Sequence, residues 1–360
     1  MSKNKILIIG GYGQVGRYVT LDLVAVFPNE VIVAGRNLEK ADAFAQEHNN
    51  LFGTQKIDIY DVSNFKEATK NVKVVVMCMM PKNNDFTKFC IENEIHYVDI
   101  SPSDNVMGKI EQFKGYFENK QVACVLGVGL APGLSNLLVK KLQSEVDILQ
   151  SVDMFLMLGL GEAHGADGVN WLLDNIRNSF PVNNQKIKPF VNGKKTIFIQ
   201  HLGKRKAYPF NIADQFIVSK TLQIENAASY LCFDSKTATR LLSTLKHMGV
   251  FNLLKFKAVQ NIFANIFNSL LPIIQKSRFG TDIYSIKIDA IGLKNNNKYK
   301  CSIGTIGYDN SLLTAQITAF VAKQLYTKNL PSGIFYLEEL FSLDDLNNAG
   351  ICPEIEICIG

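Results

Sequence analysis

Residues 5–19 read KILIIGGYGQVGRYV. The run Lys5-Ile6-Leu7-Ile8-Ile9 has the unbroken, β-branched apolarity of a strand covered on both faces. Gly11-x-Gly13-x-x-Gly16 follows at once, and Val15 to Val26 takes up helical spacing. Strand, glycine loop and helix in that order predict a dinucleotide-binding turn. Gly11 permits the tight turn, Gly13 lets a pyrophosphate approach the backbone, and Gly16 lets helix and strand pack closely. The anion rests on unpaired N–H groups at the positive end of the helix. Gly11, Tyr12, Gly13, Gln14, Val15 and Gly16 are therefore the candidate phosphate cradle; the alternative is a βα turn that holds nothing.

Working outward, strand-like and helix-like segments alternate. EVIVAGR (30–36) predicts a second strand, TQKIDIYD (54–61) a third and VKVVVMCMM (72–80) a fourth; IHYVDIS (95–101) and QVACVLGVG (121–129) follow. LEKADAFAQEH, FKEATKN and DFTKFCIENE supply the helices between them. Regular βα alternation implies a doubly wound parallel sheet, with its ligand at the carboxyl ends of the strands. Past residue 130 the texture changes. VDMFLMLGLG (152–161), KTIFIQHLG (195–203), DIYSIKIDAIG (282–292) and KYKCSIGTIG (298–307) read as longer strands, and VNG (191–193) and KNNN (294–297) as hairpin turns. Helices are expected over 168–178, 211–248, 251–271 and 311–326. The fold class is thus α/β: a Rossmann domain over 1–130, then an α+β substrate domain on a mixed sheet over 131–310. A C-terminal helix and tail, 311–360, is expected to pack back at the domain interface.

The end of the second strand discriminates NADP from NAD. An acidic residue roughly 20 residues past the loop would hydrogen-bond a ribose 2′-hydroxyl. This chain has Ala34-Gly35-Arg36-Asn37 instead. Glycine removes the repelling carboxylate, and Arg36 offers a planar, permanently charged fork for a 2′-phosphate. NADP(H) is favoured, with NAD(H) as the other possibility if Arg36 merely stacks on adenine. Asn37 belongs to the same corner. Asp58 either lies beside the adenine or forms a turn. Met79 and Met80, at the tip of strand four, either shape the nicotinamide side and exclude water or simply pack.

The bulk numbers set bounds. The 360 residues are 47% hydrophobic, enough for real cores, and the net charge of +5 is spread rather than clustered, which speaks against nucleic acid as a partner. Seven cysteines lack any CxxC spacing and several sit in apolar runs, which reads as free thiols in a reducing cytoplasm without structural metal. The first residues run straight into a strand with no signal-peptide pattern. VQNIFANIFNSLLPII (259–274) is interrupted by asparagines and reads as an amphipathic helix rather than a membrane span.

GGYGQVGRYV, VIVAGRNLEKA, HYVDIS and GVGLAPGLSNLLV together resemble the saccharopine dehydrogenase/reductase superfamily. The resemblance is strongest to its short members, which include lysine 6-dehydrogenases. It continues through GEAHGADGVNWLLD, YPFNIADQ, LCFDS, TDIYSIKIDAIG, TAQITAFVAKQL and LPSGIFYLEELFSLDDL, nearly the full chain, and APGLSN (131–136) is its most specific part. It implies a Rossmann domain, a substrate domain that also mediates homodimerisation, and NAD(P)-linked chemistry at a carbon–nitrogen bond of an amino-acid derivative. The superfamily also holds enoyl reductases, so reduction of a carbon–carbon double bond is the alternative activity. A dinucleotide sensor without turnover is the alternative of another class.

Hydride transfer is the cofactor's own chemistry, so the protein must bring the reacting carbons to about 3–3.5 Å and manage one proton. A protonated imine is already electrophilic, so positioning and electrostatics can suffice. Gly129, Pro132 and Gly133 lead into a second helix start, where Ser135 and Asn136 either hold a substrate carboxylate or cap the helix. Asp99 and Ser101 end strand five on the ligand-facing edge. Asp99 is either catalytic or a cap for the helix after Pro102. His164 lies in the glycine-rich GLGEAHGADG, where its ordinary pKa near 6.5 suits proton exchange; local hydrogen bonding is the alternative. Tyr208 and Asp214, in YPFNIADQ, are candidates for catalysis and substrate binding respectively. The cations of GKK (193–195) and GKRK (203–206) either attract a polycarboxylate or guard a strand edge.

Overall fold

The computed structural model describes residues 3–117, 120–162, 166–182, 185–255 and 280–359. The chain forms two compact units: Met1–Leu134 with Ser311–Ile351, and Ser135–Asn310 with Cys352–Gly360.

In the first unit, with strands numbered in chain order, lie β1 (Lys5–Ile9), β2 (Val31–Gly35), β3 (Gly53–Lys56), β4 (Val72–Met77), β5 (His96–Asp99) and β6 (Ala123–Leu126). A late strand, β15 (Gly333–Tyr336), completes a seven-stranded sheet of order β15-β6-β5-β4-β1-β2-β3. Every neighbouring pair is parallel. The chain moves one way across the sheet from β1 to β3 and the other way from β4 onward. The order therefore switches between β1 and β4, and a crevice opens outside their carboxyl ends. Both strands are covered on two faces: Ile6–Ile8 and Val74–Met77 are fully buried. That is why their sequences read as unbroken apolar runs rather than as alternation. Lys73, the polar exception in β4, sends its ammonium to the carbonyl of Tyr326 (2.7 Å) in the helix Asn310–Thr327. β15 was not legible as a strand; four residues, GIFY, pair with β6 from far along the chain.

Helix α1 (Gln14–Val24) buries Gly16, Val19, Thr20, Leu23 and Val24, the i, i+3, i+4, i+7, i+8 stripe of a helix lying on a sheet. Burial of Val19 and Leu23 removes both side chains wholly from water, about 1.5–3 kcal/mol each.

The second unit holds β7 (Ile148–Leu158), a two-stranded ribbon of β8 (Phe180–Val182) and β9 (Gln185–Ile187), then β10 (Lys194–Phe198), β11 (Gly203–Pro209), β12 (Asn226–Phe233), β13 (Ile283–Lys294), β14 (Asn297–Tyr308) and β16 (Ile355–Ile359). Its main sheet runs β10-β11-β12-β7-β13-β14-β16, mixed because β12 and β7 are parallel and the other pairs antiparallel. Asn295 and Asn296 join β13 to β14 at φ of 50° and 61°, the backbone a two-residue hairpin turn demands.

Three expectations need correction here. The helix expected over 211–248 is two helices, Asp214–Thr221 and Lys236–His247, separated by β12. The residues of β12 contain no breaker, yet eight of them pair in register with β7, and tertiary pairing overrides local propensity. The strand expected over 195–203 ends at Phe198; a 3₁₀ turn at Gln200–Leu202 exposes His201 and joins β10 to β11. VNG (191–193) is a bend, with Asn192 at φ 57°, and it does not join two paired strands. The segment 259–274 and most of the helix expected over 251–271 lie outside the described residues.

Candidate functional site

The cradle stands at the carboxyl end of β1, beside the β1/β4 switch. Gly10, not Gly11, takes the left-handed backbone at φ 75°, and a side chain on it would press the carbonyl of Cys78 at 3.3 Å. Gly16 has no room at all: an added Cβ would lie 2.2 Å from the Gly10 oxygen and 2.7 Å from the Gly11 Cα. Gly13 is the N-cap of α1, with no side-chain cap and no acidic residue in the first turn. The first N–H to bond within the helix is that of Arg17, to Gly13 O at 2.9 Å. The N–H groups of Gln14, Val15 and Gly16 thus precede any intrahelical partner. Above Gly13 an added Cβ would meet only the Gly10 oxygen, at 3.1 Å. An uncapped helix start that a single methyl would obstruct fits a diphosphate.

The end of β2 is shaped by Tyr12. Its ring lies where a Gly35 side chain would be, 2.4 Å from Oη, and its hydroxyl accepts the N–H of Asn37 at 3.3 Å. Glycine at 35 therefore makes space for tyrosine, beyond sparing a carboxylate. Asn37 caps the helix Leu38–Glu47 by accepting the Lys40 N–H at 2.9 Å. Arg36 between them is exposed and, among the described residues, forms no ion pair. Arg17, a neighbour that sequence reading passed over, is already engaged: its guanidinium stacks on Phe44 at 4.3 Å and pairs with Glu47 at 2.9 Å. Asp58 is half-buried and accepts the N–H of Tyr60 at 3.0 Å, a local turn bond.

Met79 and Met80 follow β4, both half-buried, and the Met79 Cβ faces Gly10. Asp99 is fully buried, receiving the Ser101 N–H at 2.6 Å and the Tyr97 hydroxyl at 3.2 Å. Burial raises its carboxyl to about 7 against those two bonds. It does not cap the next helix; Ser103 does that, for Asp104–Glu111. Ser101 is buried beside it. In the loop after β6, Gly129 packs on Thr314, the Ala131–Pro132 peptide is cis, and Gly133 at φ 127° faces the Gly127 oxygen, a backbone in which any other residue would be strained.

In the second unit Ser135, Asn136 and Asp214 come together, all at 2 % exposure or less. Asp214 accepts the Ser229 hydroxyl at 2.5 Å and the Gln215 N–H at 2.8 Å, and Ser135 adds a further bond. Burial nevertheless lifts its pKa to about 6. Ser135 also reaches Asn136 at 3.1 Å. Ser135, Asp214 and Ser229 thus form a buried polar network that ties two helices to β12. Tyr208 is buried against Phe190, the rings stacked at 5.5 Å. His164 lies outside the described residues. Of the other imidazoles, His96 Nδ1 accepts the Ala123 N–H at 3.1 Å, with burial lowering its pKa to about 4, and His247 meets the Ser243 carbonyl at 2.7 Å. Among the described residues no cluster of three or more His, Cys, Asp or Glu is placed to hold a metal ion, and no helix is long and apolar enough to cross a membrane.

Residues 6–125 match the family described as the saccharopine dehydrogenase NADP binding domain. Among solved structures, apo saccharopine dehydrogenase (L-Glu forming) from Saccharomyces cerevisiae is 14% identical, with 99% of this chain and 100% of that one covered at a TM-score of 0.68. DAP dehydrogenase of C. glutamicum in complex with DAP is 12% identical over 97% and 99% of the two chains, at 0.48. An engineered D-amino acid dehydrogenase is 14% identical over 96% and 98%, at 0.49. No curated protein matches the chain. The yeast likeness shows a shared fold along the full length, and the family match over residues 6–125 favours NADP(H) as the dinucleotide. Residues 6–125 thus carry a saccharopine dehydrogenase-type NADP-binding domain, and the chain as a whole shares the fold of the yeast enzyme.

Proposed function

We propose that the protein is an NADP(H)-dependent dehydrogenase acting on a carbon–nitrogen bond of an amino acid or imine-type adduct, of the opine, saccharopine or lysine kind. It works on a small-molecule substrate as a cytoplasmic homodimer. The carrying observation is the uncapped start of α1 over Gly13, joined to a β2 end that presents Arg36 and no carboxylate. In this reading Gly11, Tyr12, Gly13, Gln14, Val15 and Gly16 hold the diphosphate, and Arg36 and Asn37 meet the 2′-phosphate. Asp58 borders the adenine. Met79, Met80, Ser101, Gly129, Pro132 and Gly133 bound the nicotinamide end and keep water from it. Bound there, NADP(H) would supply or take up the reducing equivalents.

Asp99, with its carboxyl near 7, can hold a proton at neutral pH, but it spends both oxygens on Ser101 and Tyr97. Its part is to fix the strand end rather than to exchange protons with solvent. A protonated imine needs little more than positioning and a favourable field, which suits a site without an exposed strong acid. The test is a turnover screen that follows NADPH absorbance with 2-oxo acids paired with lysine and other diamines. NADPH consumption that requires both partners is expected. Consumption with enoyl substrates alone, or nucleotide binding with no turnover, overturns the carbon–nitrogen reading.

A further inference from the structure

The second unit holds a concavity of about 270 Å³ whose wall carries six cations: Lys195, Lys204, Arg205, Lys206, Lys236 and Arg240. Among the described residues no carboxylate lines it and none of the six is paired with one. The cavity opens where two strands part. β11 pairs with β12 only at Tyr208–Leu231 and Pro209–Tyr230, and Lys204 to Lys206 extend past the end of that ladder. On the other side of β11, Lys206 sits directly opposite Lys195 of β10. Like charges facing each other across an antiparallel pair are destabilising.

Lysines that guard an exposed strand edge are common, and that reading covers Lys195, Lys204 and Lys206. It does not cover Lys236 and Arg240, which stand on the helix Lys236–His247 and protect no strand. Nor does it cover Arg205, whose Nε, among the described residues, is buried without a hydrogen-bond partner and whose guanidinium makes a 3.4 Å bond to the carbonyl of Lys204. A buried guanidinium nitrogen left unmatched costs about 1–3 kcal/mol, and a ligand oxygen would remove that cost. The floor is firm: Tyr208, with the Lys206 ammonium 5.2 Å from its ring centre, stacks on Phe190 and leaves no space for a side chain at Gly193.

We infer that this concavity binds a small polyanion carrying two or more negative charges, of the phosphoryl or polycarboxylate class. The volume suits a compact anion, and planar and point-like cations around one space suit phosphate and carboxylate oxygens alike. The inference concerns the second unit alone and stands whether or not the dehydrogenase reading does.

The test is calorimetric titration of the full chain, saturated with NADP⁺ so that the glycine cradle is filled, with inorganic pyrophosphate and separately with citrate. The variant is Lys206→Glu/Arg240→Glu, both positions exposed. Binding of either anion that weakens at least about tenfold in the variant, while NADP⁺ affinity stays within about twofold, is the expected result. Pyrophosphate alone assigns a phosphoryl ligand and citrate alone a carboxylate. A single substitution, Lys236→Ala, with the slope of affinity against salt concentration, serves if the double variant does not fold; a shallower slope is expected. Equal binding by wild type and variant, or no binding of either small anion while an RNA oligonucleotide binds, overturns the inference.

Discussion

Replacing Gly13 with alanine separates folding from binding at the cradle. Gly13 has φ −80° and ψ 177°, which any residue adopts, so alanine meets no backbone strain. Its Cβ would touch one atom, the Gly10 oxygen at 3.1 Å, a contact relieved by a shift of a few tenths of an ångström. Loss of glycine as N-cap costs at most about 1 kcal/mol, and the less flexible unfolded chain returns about 0.4–1 kcal/mol. Stability should therefore stay within about 1 kcal/mol of wild type. Binding should not. On the proposed reading the methyl would occupy the space through which a diphosphate reaches the N–H groups of Gln14, Val15 and Gly16. Charge-assisted hydrogen bonds contribute about 1.5–3 kcal/mol each, so lengthening two of them should lose at least about 2 kcal/mol, roughly thirtyfold in affinity. NADPH fluorescence titration and urea unfolding, run on the same preparation, read the two quantities. Gly16→Ala is the contrasting control: backbone atoms at 2.2 and 2.7 Å cannot give way locally, so stability and binding should fall together, with about 1–3 kcal/mol or more lost from folding. A Gly13→Ala protein that is folded and binds NADPH within twofold of wild type would refute the cradle.

Two further predictions follow from charges. Arg36→Ala should weaken NADPH by about tenfold to a hundredfold, the range of a lost charge-assisted contact, and leave NADH unchanged; equal effects on both nucleotides in titration would remove Arg36 from the 2′-phosphate. Asp214 has a folded pKa of about 6 against an ordinary 3.8. The folded state then binds more protons than the unfolded state between those values, so stability falls as pH rises from about 4 to about 6 and is flat beyond. The loss is about 3 kcal/mol at about 1.4 kcal/mol per pKa unit. Asp214→Asn should abolish that part of the slope in urea unfolding series. What remains, reaching to about 7, belongs to Asp99, which is shifted in the same direction. An unchanged slope would show that Asp214 is not the titrating group.

What could be read from the sequence was what is local. The apolar run 5–9, the glycine spacing and the 3.6-residue period of α1 each occupy one stretch of chain, and each announces its own environment. Where the answer depended on a distant partner, the sequence was mute. GIFY (333–336) is a strand because β6 offers it an edge, and β12 is a strand because β7 pairs with all eight of its residues. Neither segment contains a mark that separates it from helix or loop. The cradle shows the same division at finer grain. Motif spacing located the glycines, but with Gly10 and Gly11 adjacent it could not say which turns left-handed; the packing of Gly10 on the Cys78 carbonyl decides that. Gly35 read as the absence of a carboxylate, whereas the space it leaves is filled by Tyr12 from the neighbouring loop. In the second unit GKK and GKRK were visible as charge, yet Lys236 and Arg240 lie far enough along the chain to look unrelated. Only the parting of β11 from β12 puts Lys195, the GKRK cations, Lys236 and Arg240 around one space, while Lys194 of GKK turns to Asp153. A site made from one segment is legible in advance, and a site made by convergence needs the fold first. The proposed dinucleotide cradle is of the first kind, so mutating within the motif tests it; the cationic concavity is of the second, and changing one strand and one helix together is what tests it.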